Sequence, residues 1–215
     1  IDTSGIETIP GGKTFRWRGR YLPNMNDRET LEVHLNVFGD FKPKLEENHR
    51  RSKFLFLGNA SPVTQLSVLD QVPDAKLTVA DTMDLWINIA RPELTNLLSE
   101  VDGVILNDEE AMQLTECRNV VTAGRKILKS GPRSFVVVKK GEHGAILIHR
   151  DGVASVPAYP ADEAQVVDPT GAGDTFAGGF MAHVARAGTH DFDTLRHAMA
   201  WGTVLASFTI ESFGL

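Results

Sequence analysis

The chain has 215 residues, 42% of them hydrophobic and 23% charged, and a net charge of −6. This is an ordinary globular composition with enough apolar content for one large core. The acidic balance argues against a nucleic-acid partner, and the lack of a basic run argues against a membrane surface. A single cysteine, Cys117, forbids an internal disulfide and fits a reducing compartment, the cytoplasm. No apolar run is long enough to span a bilayer, and no basic-then-apolar leader opens the sequence.

Residues 1–12 are turn-rich, with Asp2-Thr3-Ser4-Gly5 and then Pro10-Gly11-Gly12. Two alternating runs follow. Phe15 and Trp17 share one face opposite Arg16 and Arg18, and Leu31, Val33, Leu35 and Val37 share one face opposite Glu32, His34 and Asn36. The turn cluster Pro23-Asn24-Met25-Asn26-Asp27 lies between them, so the two runs form an antiparallel pair. An edge hairpin of a larger sheet is one reading of this pattern, and a separate small sheet is the other. Arg16, Arg18 and Arg20 face solvent or an anionic substrate.

From residue 53 short, dense apolar runs alternate with helical stretches. The runs are Phe54–Leu57, Leu77–Ala80, Val104–Leu106 and Phe135–Val138, and the helical stretches are Val63–Val72, Pro92–Val101, Glu109–Thr115 and Thr122–Lys129. Such alternation predicts right-handed βαβ units and a parallel sheet buried on both faces. A hairpin of Ala145–His149 and Val153–Val156 follows, and helices over Asp174–Arg186 and from Thr194 to about Phe208 close the chain. Ligands bind beyond the carboxyl ends of parallel strands. Here those ends carry Gly58-Asn59, Asp81, Asn107 and Lys139-Lys140-Gly141.

The most informative stretch is Asp168-Pro169-Thr170-Gly171-Ala172-Gly173-Asp174-Thr175-Phe176 followed by Ala177-Gly178-Gly179-Phe180. A glycine turn entering a helix leaves backbone N–H groups at the positive end of the dipole, which is an anion site suited to phosphate. The dinucleotide pattern fails because Phe176 stands where its last Gly is required. A P-loop ending at Gly12-Lys13-Thr14 fails because Glu7 stands at its first Gly. Asp174 is either the N-cap of the helix or a base able to take a proton from an attacking hydroxyl. The seven histidines show no metal-ligating spacing, no Cys/His cluster suggests zinc, and no serine nucleophile motif is present.

The Asp168–Phe180 stretch resembles the C-terminal motif of the ribokinase-like, or PfkB, carbohydrate kinase family, and further family-like segments follow the family's order over nearly the whole chain. The resemblance implies an α/β, three-layer α/β/α fold with a mainly parallel central sheet and a small β lid. Residues 1–50 would be the lid region and residues 51–215 the nucleotide-binding and catalytic region of one kinase domain. It implies ATP-dependent transfer of a phosphoryl group to a hydroxyl of a sugar or nucleoside. Asp174 would be the base, and the N–H groups of Ala172, Gly173 and Asp174, in the loop begun by Gly171, would form the anion hole. Asn107 and Glu110 match the family's Asn-x-x-Glu motif, which orients waters of Mg²⁺; the same spacing also satisfies a helix capping box.

Val138–Ala145 resembles the strand-turn-strand beside the nucleotide, with Gly141 allowing close approach and Lys139 or Lys140 offsetting phosphate charge. Ribokinase itself has a hydroxyl residue where Lys139 stands, and a solvated lysine is the other reading. Asp168 and Thr170 match positions that help bind a monovalent cation such as K⁺, or they simply fix the turn. Asp81 is expected near the phosphates or their metal, and Trp86 in the core. The lid in relatives covers the substrate and often pairs with another subunit, which implies a homodimer. Phe15, Trp17 and Tyr21 would stack on a nucleobase or pack in a lid interface. Against the family the chain looks cut at both ends, so a non-catalytic, ligand-binding relative is the second reading.

Overall fold

The computed structural model describes residue 3 and residues 5–214. Asp2 and Ser4 of the expected opening turn lie outside that range. The later turn is present, with the Gly12 N–H donating to the Ile9 carbonyl at 3.1 Å.

Strands β1 (Arg16–Tyr21) and β2 (Arg28–His34) pair antiparallel as a separate two-stranded sheet, so the hairpin is not an edge of the main sheet. Its turn is organised by Asn24, whose Oδ1 accepts the N–H groups of Asn26 and Asp27. The second strand was expected to continue through Val37, but it ends at His34. Asn36 takes a positive φ of 50°, which Asn tolerates better than most residues, and Asn36–Asp40 form a 3-10 turn instead. The underside of the hairpin is therefore filled by rings, with Phe15 and Phe38 edge-to-face at 5.8 Å.

The remaining chain runs α1 (Glu47–Arg50), β3 (Phe54–Leu57), α2 (Pro62–Leu69), β4 (Leu77–Asp81), α3 (Asp84–Ile89), α4 (Arg91–Glu100) and β5 (Gly103–Asn107). It continues with α5 (Asp108–Thr115), α6 (Val120–Ser130), β6 (Phe135–Lys139), β7 (Ala145–His149), β8 (Gly152–Val156), α7 (Ala172–Ala187) and α8 (Phe192–Thr209). Several starts are set by side-chain caps: Ser61, Asn119 and Asp191 each accept the N–H three residues on.

The main sheet has the order β3-β4-β5-β6-β7-β8, parallel from β3 to β6 and antiparallel beyond. Each parallel strand adds on the same side of the last, so crossovers of one hand put α2 to α6 on one face. Leu94, Leu97, Ala123 and Ile127 pack there against Val104, Leu106, Val136 and Val138. The other face is covered by α7 and α8, where Phe176, Phe180, Leu195 and Met199 meet Val79, Ile105 and Val137. This is the expected three-layer α/β/α arrangement with its small β lid. Gly179 and Gly202 let α7 and α8 approach backbone to backbone: a Cβ on Gly202 would lie 2.7 Å from the Phe176 carbonyl oxygen. No helix among the described residues is long and apolar enough to cross a membrane.

Candidate active site

Strand alternation explains why the site assembles. Val79, Ile105 and Val137 face α7 and α8. Two residues on, Asp81, Asn107 and Lys139 occupy the same face at the carboxyl ends of β4, β5 and β6. The register of β5 and β6 pairs Asn107 directly with Lys139. The same face receives the N-terminus of α7, so the sheet end and the glycine turn confront each other.

The turn is built by Gly171, the N-cap of α7, whose φ of 85° is the left-handed region that glycine enters without penalty. Ala172, Gly173 and Asp174 are then the first three helical residues, so Asp174 is not the N-cap. Its side chain is exposed in the first turn. Of the three N–H groups expected in the anion hole, that of Ala172 donates to the Pro169 carbonyl at 3.1 Å. Those of Gly173 and Asp174 have no acceptor among the described residues. The turn is anchored from behind, because the Val167 and Asp168 N–H groups donate to the Ile210 carbonyl and Thr209 donates to Thr175 at 2.8 Å.

Lys139 is not the solvated lysine that composition would suggest. Its side chain is 18% exposed, and its Nζ lies 3.9 Å from Oδ2 of Asp81, itself 7% exposed. Nζ also lies 2.9 Å from where a Cβ on Gly173 would be, so the ammonium stands over the first turn of α7. Burial pushes the Asp81 carboxyl above its ordinary value, with the Lys139 charge and the Thr82 N–H pulling it down and Asp174 adding to the rise. Burial likewise pushes Glu110 up to about 7, opposed by Lys139, by the Asn107 N–H and by Arg28, and reinforced by Asp81. One ammonium is thus shared by two buried carboxyls.

Asn107 and Glu110 form a complete capping box on α5. Asn107 Oδ1 accepts the Glu110 N–H and Glu110 Oε2 accepts the Asn107 N–H, both at 2.8 Å. Among the described residues no group of three or more His, Cys, Asp or Glu side chains has metal-holding geometry. The Asn107 Oδ1 and Glu110 Oε2 atoms are thus engaged by the cap, and direct ligation of a metal through them would compete with it. Asp168 Oδ1 accepts the Thr170 N–H at 2.9 Å, which is the turn-fixing role, and Thr170 Oγ1 lies 3.3 Å from the Tyr21 hydroxyl. Lys140 begins a 3-10 turn. Gly141 has the Asn26 carboxamide of the lid turn against it. The lid therefore meets the site at Gly141 and Thr170.

Two features escaped the sequence reading. Gln65, 2% exposed, donates through Nε2 to the carbonyls of Leu57, Gly58 and Asp81, locking the ends of β3 and β4 together. The pairing of Asp81 with Lys139 spans two crossovers and has no local signal. Trp86 is buried as expected, and its Nε1 donates to Asn59 at 2.9 Å beside a cavity of about 180 Å³ lined by Phe15, Phe38, Met83 and Leu85.

A family model described as pfkB family carbohydrate kinase matches residues 47–215. The chain is 30% identical over 190 residues to a cytidine kinase of Thermococcus kodakarensis, covering 86% of this chain and 66% of that protein. It is 27% identical over 135 residues to an adenosine kinase of Saccharomyces cerevisiae, covering 59% of this chain and 38% of that protein. Among solved structures, a ribokinase from Giardia lamblia shares the fold with a TM-score of 0.78 at 18% identity, covering 97% of this chain and 69% of that chain. The chain thus spans 66% and 38% of the lengths of those two curated relatives.

Proposed function

This chain belongs to the pfkB family of carbohydrate kinases, and on that premise we propose that it transfers the γ-phosphoryl group of ATP to a hydroxyl of a sugar or nucleoside. The observation that carries this reading is the first turn of α7, where two N–H groups without acceptors among the described residues and the exposed Asp174 carboxylate share the positive end of one helix dipole. Phosphoryl transfer asks for little more than positioning and charge stabilisation. The Gly173 and Asp174 N–H groups hold the transferring group, and Asp174 takes the hydroxyl proton as the new O–P bond forms. Lys139 and Gly141 line the nucleotide side, with Lys140 beside them.

Asn107 and Glu110 would hold a Mg²⁺ through its waters, and that ion would supply charge neutralisation at the phosphates. Asp168 and Thr170 would contribute oxygen ligands to a K⁺ beside the loop. The lid covers the acceptor and is the surface through which a homodimer would form. Two kinds of support favour a nucleoside acceptor: the likeness to cytidine and adenosine kinases, and the aromatic-lined cavity, of a size for a planar base. The second reading, a ligand-binding relative without turnover, is motivated by the partial span of those kinases.

Calorimetric titration with ATP, run beside phosphoryl-transfer assays on cytidine, adenosine, ribose, fructose and 2-keto-3-deoxygluconate, separates the two. The kinase reading expects ATP binding and a phosphorylated product from at least one acceptor. ATP binding with no product from any acceptor would favour the second reading, and absence of both would sink the first.

A further inference from the structure

We propose that Lys139 is a catalytic cation that contacts the transferring phosphoryl group, and that Asp81 is the positioning residue that holds its ammonium over the glycine turn. The proposal rests on the phosphoryl-transfer reading above but adds a residue and a partner that the glycine motif does not contain.

The geometry selects Lys139 over its neighbour. Alternation along β6 puts Lys139 on the α7 face with Val137, whereas Lys140 lies past the strand end and starts the following turn. The Lys139 ammonium carries three donors, and none makes a hydrogen bond among the described residues. Its distance of 3.9 Å to Asp81 is too long for a hydrogen bond, so the pair orients without saturating. Among the described residues the buried side-chain atoms that lack partners are Gln65 Oε1 and Thr82 Oγ1, so Nζ is unbonded yet still reaches solvent-accessible space. A lysine with a mostly buried stem, an exposed tip and unspent donors is prepared to receive an anion at that opening.

What would complete it is fixed by position. Nζ stands 2.9 Å from the Cβ place of Gly173, beside the two N–H groups that also lack acceptors. An ammonium standing over a helix turn that carries two unengaged amides recognises a multiply charged phosphoryl group more strongly than amides alone. Gly173 fits this arrangement for a steric reason, since any side chain there would displace the ammonium. Asp81 is itself held in place: its carbonyl is gripped by Gln65, and its Oδ1 accepts the Thr82 N–H at 2.8 Å. In the step itself the acceptor oxygen bonds to the γ-phosphorus, the bond from that phosphorus to the β,γ-bridging oxygen breaks, ADP leaves, and the hydroxyl proton passes to Asp174. Lys139 donates hydrogen bonds throughout and keeps its protons.

The test compares wild type with Lys139→Met, Lys139→Arg, Asp81→Asn and Asp174→Asn in the full chain, reading kcat, KM for each substrate, ATP affinity by calorimetry and melting temperature. Lys139→Met should lower kcat at least 100-fold and weaken ATP binding at least 10-fold, with the KM of the acceptor hydroxyl compound unchanged. Lys139→Arg should recover at least 10-fold of the lost kcat. Asp81→Asn should lower kcat about 10-fold with ATP affinity within threefold, because it misplaces the cation without removing it. Lys139→Met within threefold of wild type in both kcat and ATP affinity overturns the proposal. So does a loss in Lys139→Met and Asp81→Asn that only follows the folded fraction. A fully active Asp174→Asn beside a collapsed Lys139→Met would refute the base assignment and leave Lys139 standing. If wild type turns over no acceptor, the ATP affinity of Lys139→Met alone decides.

Discussion

Glu110→Gln tests the electrostatics of the strand ends through stability. The Glu110 carboxyl, ordinarily ionising near 4.5, is pushed up to about 7 by burial between β5 and α5. Between those two values the folded state holds a proton that the unfolded chain has lost, so stability falls as pH rises. The contribution of the protonated form is fully present below about pH 4.5 and is gone above about pH 7. A gap of roughly 2.5, at about 1.4 kcal/mol per pH unit, amounts to about 3 kcal/mol. Gln keeps an oxygen able to accept the Asn107 N–H, so the cap on α5 survives while the titration disappears. The assay is urea denaturation of both proteins at intervals from pH 4.5 to pH 8. The stability difference between them should shift in favour of Glu110→Gln by about 3 kcal/mol across that window. Parallel curves for the two proteins would refute the reasoning.

Other expectations reach the scaffold and the ligand. Gly202→Ala places a Cβ 2.7 Å from the Phe176 carbonyl oxygen and must spread α7 from α8. Overpacking of this kind costs about 1–3 kcal/mol. At roughly 2–4 °C per kcal/mol for a chain of this size, the melting temperature should drop visibly, and an unchanged value would contradict the close approach. ATP at a hundred times its dissociation constant should stabilise the fold by about 2.7 kcal/mol, whereas NAD should not. A thermal shift with NAD and none with ATP would favour a dinucleotide site despite Phe176. Asn119→Ala removes the cap on α6 and should cost about 1 kcal/mol in the same denaturation assay, with no cost expected if the Thr122 N–H finds water equally well.

Much of the scaffold was legible because its signals are local. Phe54–Leu57 and Ala145–His149 keep the bounds read from their dense apolar runs, each of which ends where turn-forming residues begin. The helix after the glycine turn begins at Ala172 rather than Asp174, because Gly171 takes the cap conformation itself and frees Asp174 for the first turn. The second lid strand read too long, because alternation through Val37 does not register the left-handed turn at Asn36. The short helix α3 went unread: it has no side-chain cap and directly abuts the next helix through Ala90.

The site divides along the same line. Its glycine turn and capping box are contiguous motifs, visible to anyone scanning the chain. The charge arrangement is not, because Asp81 and Lys139 meet only once β4, β5 and β6 are in register. Nor does a sequence reveal that the Ala172 N–H is already engaged, which narrows the proposed anion site to the N–H groups of Gly173 and Asp174.

The most direct test of the central claim is single-turnover phosphoryl transfer by Asp174→Asn, measured with whichever acceptor wild type phosphorylates best. Asn at the third position of α7 leaves the backbone N–H groups and the Gly171 cap in place and removes only the proton acceptor. General-base catalysis contributes about 10²–10⁴-fold, so the rate should fall by that factor with ATP affinity retained. A variant that transfers phosphate as fast as wild type would contradict the account.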